Sequence, residues 1–376
     1  MKQGFESLEK LVRDVDSYKL SKRDYISDIR NTEMQYIGAN KFKLCLEGEE
    51  VNYTVTDNAM SQIASWAKVP YSYVNYMKSN GKGDLVASNF NEWFQKPVHK
   101  NTRRMYRGMT NNIYRDNSTL DPHMSRSGGK WRSFHSNRFR RVDHEHVLDS
   151  IMPELETLAE EYGDIKIASL GLTDDKMYVK VLFPKTEAKA VGDVVQFGLS
   201  IGNSEIGKGL AYVSPLIYVL RCLNGMILPD YGIKTKHIGS SIEEDGNVTY
   251  GNDTIETDQK AIMLKLRDTI RSVCSEENRN KVLEKINESS DTTSTKNPLK
   301  AVEKTAKLFS LTEKETEDTT LSFVKRGDYS KWGMVNAVTE IANTHKNYDR
   351  ASELEGLGGR ILTMGKSQWQ EIALAA

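Results

Sequence analysis

The sequence predicts an α+β fold: a curved antiparallel sheet with a packing helix, a small mixed N-terminal unit and a helical C-terminal region. Three observations carry this. Four β-rich runs, Ile165–Gly171, Met177–Phe183, Val194–Ser204 and Leu210–Leu223, follow one another with short turns, which favours hairpins over a doubly wound parallel sheet. Just before them, Val147, Ile151, Leu155 and Leu158 are spaced to line one face of a helix capped by Asp143. After residue 255 the apolar spacing is helical throughout, as in Ile262, Leu266, Ile270 and Val273.

The elements are read in three regions. Residues 1–95 form the small mixed α/β unit. Lys41 to Thr56 alternates apolar and polar around a glycine turn, predicting a hairpin, and Thr56 with Asp57 can cap a helix that Pro70 stops. A second short helix ends at Ser79-Asn80-Gly81, with Ile63, Trp66, Tyr71, Val74 and Met77 as core. Residues 96–245 hold the α+β core together with a basic segment, in which Trp131 to Ser136 reads as a short strand. The Thr173-Asp174-Asp175 stretch turns the first pair of core strands, and Pro153 threatens the continuity of the preceding helix. In residues 255–376, Asn287 to Asn297 reads as a weakly ordered polar linker. Asn297-Pro298 starts a helix, and Thr312 with Glu315 matches a capping box. Helices around Trp332–Thr344 and Arg350–Leu362 complete the tail.

Composition narrows the function classes. The 376 residues are 38% hydrophobic and 28% charged, with 52 basic and 52 acidic residues, so global charge carries no message about partners. Cys45, Cys222 and Cys274 are far apart, which argues against a zinc site or a disulfide framework and suits a reducing compartment. The charged opening MKQGFESLEKLVRDVDSYK has no apolar leader pattern, and no apolar run is long enough to span a bilayer. The expected location is the cytoplasm of a bacterial host cell, away from any membrane.

Charge is concentrated locally. From Lys96 to Arg141 there are twelve basic residues against Asp116 and Asp121, a net charge of +10. Nine of the twelve are arginines, whose guanidinium binds phosphate bidentately and stacks on flat rings. Tyr106, Tyr114, Trp131, Phe134 and Phe139 are interleaved with them. Cations that follow phosphates and rings that stack bases suit a groove for single-stranded DNA. The candidate nucleic-acid-binding residues are Arg103, Arg104, Arg107, Lys130, Trp131, Arg132, Arg138, Phe139, Arg140 and Arg141, with Lys208 and Arg221 as lesser candidates on the sheet. Phe139 has a competing role as a strand core residue. The plainer alternative for the arginines is ion pairing with acids such as Glu154, Glu156, Glu160 and Glu161.

Catalytic patterns are weak, and no enzyme is expected. GNSEIGKG at 202–209 approaches a phosphate loop, but Gly209 stands where a metal-binding hydroxyl belongs and a β-rich run follows where a helix should start. A glycine-rich strand connection is the expected reading. In His144-Glu145-His146 the histidines diverge on a helix, so the exposed first turn of a helix is expected there rather than a metal site. No cofactor is expected.

Three segments, Ser136–Leu148, Met177–Phe183 and Val191–Ile227, together with Lys331–Leu362, resemble the phage/plasmid-like protein family known as domain of unknown function 932. The resemblance runs from about residue 55 to 362. The order of a helix feeding a curved antiparallel sheet beside a basic segment is also similar to that of the single-strand annealing proteins, the phage Red-beta and Rad-type families. That resemblance implies a single-stranded DNA-binding and annealing protein of recombination or replication, working without ATP as a homo-oligomeric ring or filament beside phage or host recombination proteins. The alternative from another class is an interaction protein that inhibits or recruits a host factor through the basic segment.

Overall fold

A computed structural model describes residues 7–48, 51–97, 102–110, 129–137, 139, 141–235 and 252–374. The bulk of the chain divides into two units, Arg13–Arg141 and Val142–Lys236 with Thr249–Ala376.

In chain order the first part comprises α1 (Leu8–Ser21), β1 (Lys22–Asp28), β2 (Thr32–Tyr36), β3 (Phe42–Leu46), β4 (Val51–Val55), α2 (Asp57–Trp66), α3 (Tyr71–Ser79), α4 (Gly83–Gln95), β5 (Arg103–Thr110) and β6 (Gly129–Ser136). The predicted hairpin is β3–β4. The Thr56 side chain accepts the Ala59 amide, which caps α2 as expected. The strands order as β1-β5-β6-β4-β3-β2. The two end strands, β1 and β2, are joined only by the short turn Ile29–Asn31. Four Cα steps span at most about 14 Å, whereas the edges of a flat six-stranded sheet lie about 24 Å apart. The sheet must therefore roll up on itself. Its inner side holds Leu44, Tyr53, Tyr106, Trp131 and Phe134 against Ile63 and Ala64 of α2 and Phe90 and Phe94 of α4. Gly108 is required at its place, because a Cβ there would come within 2.8 Å of the Tyr53 ring.

This topology corrects one boundary. Strands β5 and β6 pair with β1 and β4, so the basic segment belongs to the N-terminal unit and not to the α+β core beyond residue 96. The cause is non-local pairing: the β4–β6 pairing joins residues about 75 positions apart, which no local pattern reveals.

The second unit begins with α5 (His144–Tyr162), then β7 (Lys166–Leu172), β8 (Met177–Leu182), β9 (Ala188–Ala190), β10 (Asp193–Asn203), β11 (Ala211–Val219), β12 (Asn224–Ile227) and β13 (Ile233–Thr235). It ends with α6 (Asn252–Cys274), α7 (Glu276–Ser290), α8 (Pro298–Phe309), α9 (Glu313–Arg326), α10 (Lys331–Thr344), α11 (Tyr348–Thr363) and α12 (Lys366–Ala373). The sheet runs β12-β11-β10-β8-β7 and is antiparallel throughout. The predicted α+β class, with a curved antiparallel sheet and C-terminal helices, is therefore the observed one.

Three local expectations need correction. Helix α5 runs through Pro153 unbroken; the carbonyl without its amide partner belongs to Asp149, an exposed residue that solvent can serve. The expected linker 287–297 is shorter and held down: α7 reaches Ser290, the Thr295 amide donates to the Tyr329 carbonyl, and Trp369 Nε1 donates to the Thr293 carbonyl. His144 does sit in the first turn of α5, but fully buried: its amide donates to Glu205 at 2.9 Å and its ring lies 3.1 Å from Asn203.

The capping box of α9 is present, and its acid is shared. Glu315 accepts from the Thr312 amide and takes a two-pronged pair from Arg350, each prong at 2.8 Å. The Arg350 hydrogen bonds hold the Glu315 carboxyl down at about 2, against an ordinary value of 4.5. A depressed carboxylate stabilises the fold above its unfolded value and forfeits that contribution as pH falls through the folded one. Glu315→Gln should therefore lower the denaturation midpoint at pH 7, and the gap to the parent should close between pH about 4.5 and about 2.

Candidate nucleic-acid interface

Alternation along the six strands of the N-terminal sheet sorts the basic segment into two sides. On the inner side, Trp131 is 1% exposed, with Tyr53, Tyr25 and Tyr106 at ring distances of 4.9, 5.6 and 5.7 Å. Its Nε1 donates to the Leu44 carbonyl at 2.9 Å. Trp131 is a core residue and does not offer a stacking face, which corrects the expectation from sequence. Tyr106 and Phe134 are buried in the same cluster. Arg104 also lies on this side, buried with its guanidinium 5.6 Å from the Trp66 ring.

The outer side takes two more arginines out of solvent. Arg107 is fully buried and grips Asp24 with both prongs, Nε at 2.8 Å and Nη2 at 2.7 Å, while Arg141 approaches the same carboxylate at 3.6 Å. Arg132 is the residue where β6 slips register against β5; it is buried, with its guanidinium 4.9 Å from the Tyr18 ring. Phe139 is buried, stacked on the His135 ring at 3.7 Å, so its core role prevails. These placements correct the expectation of a continuous solvent-facing arginine groove. Five of the candidate groups, Arg104, Arg107, Trp131, Arg132 and Phe139, are built into the unit. Glu154, one of the acids expected to pair with the basic segment, is instead taken by Arg267 and Arg271, at 3.5 and 2.8 Å.

Removing Arg107 therefore tests structure before binding. Arg107→Ala leaves Asp24 without its two-pronged partner and should destabilise the unit by about 3 kcal/mol, read as a lower urea midpoint.

Of the predicted residues, Arg103 and Lys130 are exposed, and Arg141 is half-buried. Arg138 and Arg140 lie outside the described residues. Lys208 and Arg221 belong to the other unit. Both are exposed there, Lys208 with its ammonium 2.9 Å from Asp175. The 202–209 stretch joins β10 to β11 as a strand-to-strand connection, and Glu205 within it is fully buried. A phosphate loop needs a helix at that point, so the strand-connection reading is the correct one.

Register reveals what the sequence could not. Lys22 on β1 stands opposite Met109 on β5, Met109 opposite Lys130 on β6, and Lys130 opposite Thr54 on β4. Thr54 in turn faces Lys43 on β3, and Lys43 faces Gln35 on β2. One row thus crosses all six strands, on the side opposite the buried Trp131, Tyr53 and Leu44. Lys130 and Gln35 are exposed, and the rest of the row is half-buried. Three lysines fall on alternate strands, about 10 Å apart by strand spacing. The carboxylates of β1 on this side are committed: Asp24 to Arg107, and Asp28, at the far end of the strand, to Arg30 and Thr102, whose hydrogen bonds hold its carboxyl far below the usual range. Glu33, opposite Cys45, remains exposed.

Among the described residues no helix is long and apolar enough to cross a membrane. Comparison with protein-family models, curated proteins and solved structures gave no match to this chain.

Proposed function

We propose that the chain binds nucleic acid through the outer side of its six-stranded sheet, holding the phosphate backbone on the row Lys22, Lys130 and Lys43, with Arg103 on the same side at the opposite end of β5. The observation that carries this reading is the cross-strand row itself, three cations on alternate strands of one side. Such a row curves around the outside of the rolled sheet, where a flexible single strand can wrap along it, and three or four phosphate contacts predict a log K against log salt slope of about −2 to −3. The resemblance of four segments to the phage/plasmid-like family supports placing this activity in phage recombination or replication. There the protein would act as a single-strand annealing protein, oligomeric and independent of ATP.

Fluorescence anisotropy with a labelled single-stranded oligonucleotide tests it. Exchanging Lys22, Lys43 and Lys130 together for glutamate should weaken binding at least tenfold while circular dichroism stays unchanged. Equal binding by that folded variant would overturn the proposal.

A second reading draws support from the burial of Trp131, Phe134 and Phe139: a cationic side without stacking rings also fits an acidic protein surface. Under that reading the oligonucleotide would not bind at moderate salt, and an acidic host protein would.

A further inference from the structure

Helix α11 docks in two different ways along its length. Its first half is tied to the seven-stranded sheet by polar groups, while its Leu354 also reaches the apolar core. The Tyr348 and Ser169 hydroxyls lie 2.7 Å apart, Asp349 accepts from Tyr178 Oη at 2.7 Å, and Lys180 Nζ donates to Ser352 at 2.7 Å and Glu355 at 2.5 Å. Lys180 and Glu355 are both buried. Beyond residue 356 the docking is apolar, with Leu357, Ile361 and Leu362 in one core with Trp332, Val335 and Val338.

Three glycines, Gly356, Gly358 and Gly359, stand where the halves meet. Two are forced: a Cβ on Gly358 would collide with the Thr339 side chain, and one on Gly359 with the Ile227 carbonyl. Gly356 is not, since the nearest atom to a Cβ there is Pro229 Cγ at 3.9 Å, an ordinary separation. The helix thus carries a weak link that packing does not require, worth about fivefold in local helix stability relative to alanine. Opening the first half breaks the Arg350–Glu315 pair, for which Arg350 regains water in exchange, and exposes Ala351 and Leu354, but it also returns both members of the Lys180–Glu355 pair to water, so the desolvation that opposed their pairing is recovered.

We propose that Tyr348–Glu355 is a strap hinged at Gly356, which opens independently of the second half of α11 and uncovers a lysine–tyrosine side of the sheet. That side carries Lys180, Tyr178 and Tyr212, with Ser200 and Ser214 between them on neighbouring strands. The Ser214 hydroxyl is buried and has no hydrogen-bond partner among the described residues. In the closed form the chain's own Glu355 carboxylate occupies the Lys180 ammonium, an autoinhibitory contact toward any other anion.

Hydrogen exchange on the full chain tests the hinge. Amides of residues 352–355 should exchange at least tenfold faster than those of residues 359–362. Gly356→Ala should slow the first set about fivefold and leave the second unchanged. Acylation of Lys180 by an amine-reactive active ester should slow by the same factor in that variant. One common exchange rate for both segments in the parent protein, an equal shift of both in Gly356→Ala, or unchanged Lys180 labelling would overturn the proposal.

Discussion

Trp131→Ala should unfold the N-terminal unit rather than merely weaken binding. The indole is 1% exposed, touches three tyrosine rings and donates a hydrogen bond to Leu44. Truncating a buried tryptophan costs about 3–5 kcal/mol, through the apolar surface no longer buried and the cavity left behind. That is a large fraction of the stability of a domain this size. The expected readout is a collapse of near-ultraviolet dichroism and a sharply lower urea midpoint. If Trp131→Ala kept the parent midpoint and gave up only oligonucleotide affinity, the ring would be a binding group and its assignment to the core would fail.

The second large effect is expected at Lys180. Lys180→Met leaves the buried Glu355 without its ammonium, and breaking a buried pair from one side costs about 3–5 kcal/mol. Removing both charges, with Lys180→Met and Glu355→Leu together, should recover most of that stability, because neither group then has to be desolvated unpaired. A denaturation cycle over the four proteins measures the coupling. If the double variant were destabilised as much as the two single variants combined, the pair would not be the interaction that matters there.

Much of the architecture was legible because local chemistry and tertiary structure agree. Thr56, Asn297 and Thr312 cap helices where their side chains and followers predict. The strands from β7 to β11 lie within one or two residues of their expected bounds, apart from the short β9 and the far end of β11, which stops at Val219. The N-terminal sheet was hidden, since its long-range pairings of β1 with β5 and β4 with β6 leave no periodic trace. The same holds for the candidate site. Charge density singles out residues 96–141, but density cannot say which side of a strand an arginine occupies. Arg107 pairs with Asp24 some 83 positions earlier, and Trp131 with Leu44 87 positions earlier. Lys22 and Lys43 carry no signal in the sequence for the converse reason. Each is an ordinary lysine in its own strand and becomes part of a row only once register is known.

If the cross-strand lysine row grips phosphates, binding releases the counterions that those phosphates held. The most direct measurement is the salt dependence of oligonucleotide affinity for the parent and for the Lys22, Lys43, Lys130 charge-reversed protein. A slope of about −2 to −3 is expected for the parent, shallower by about 2 in the variant, since each phosphate neutralised by a lysine contributes about 0.7. Identical slopes for the two folded proteins would contradict it.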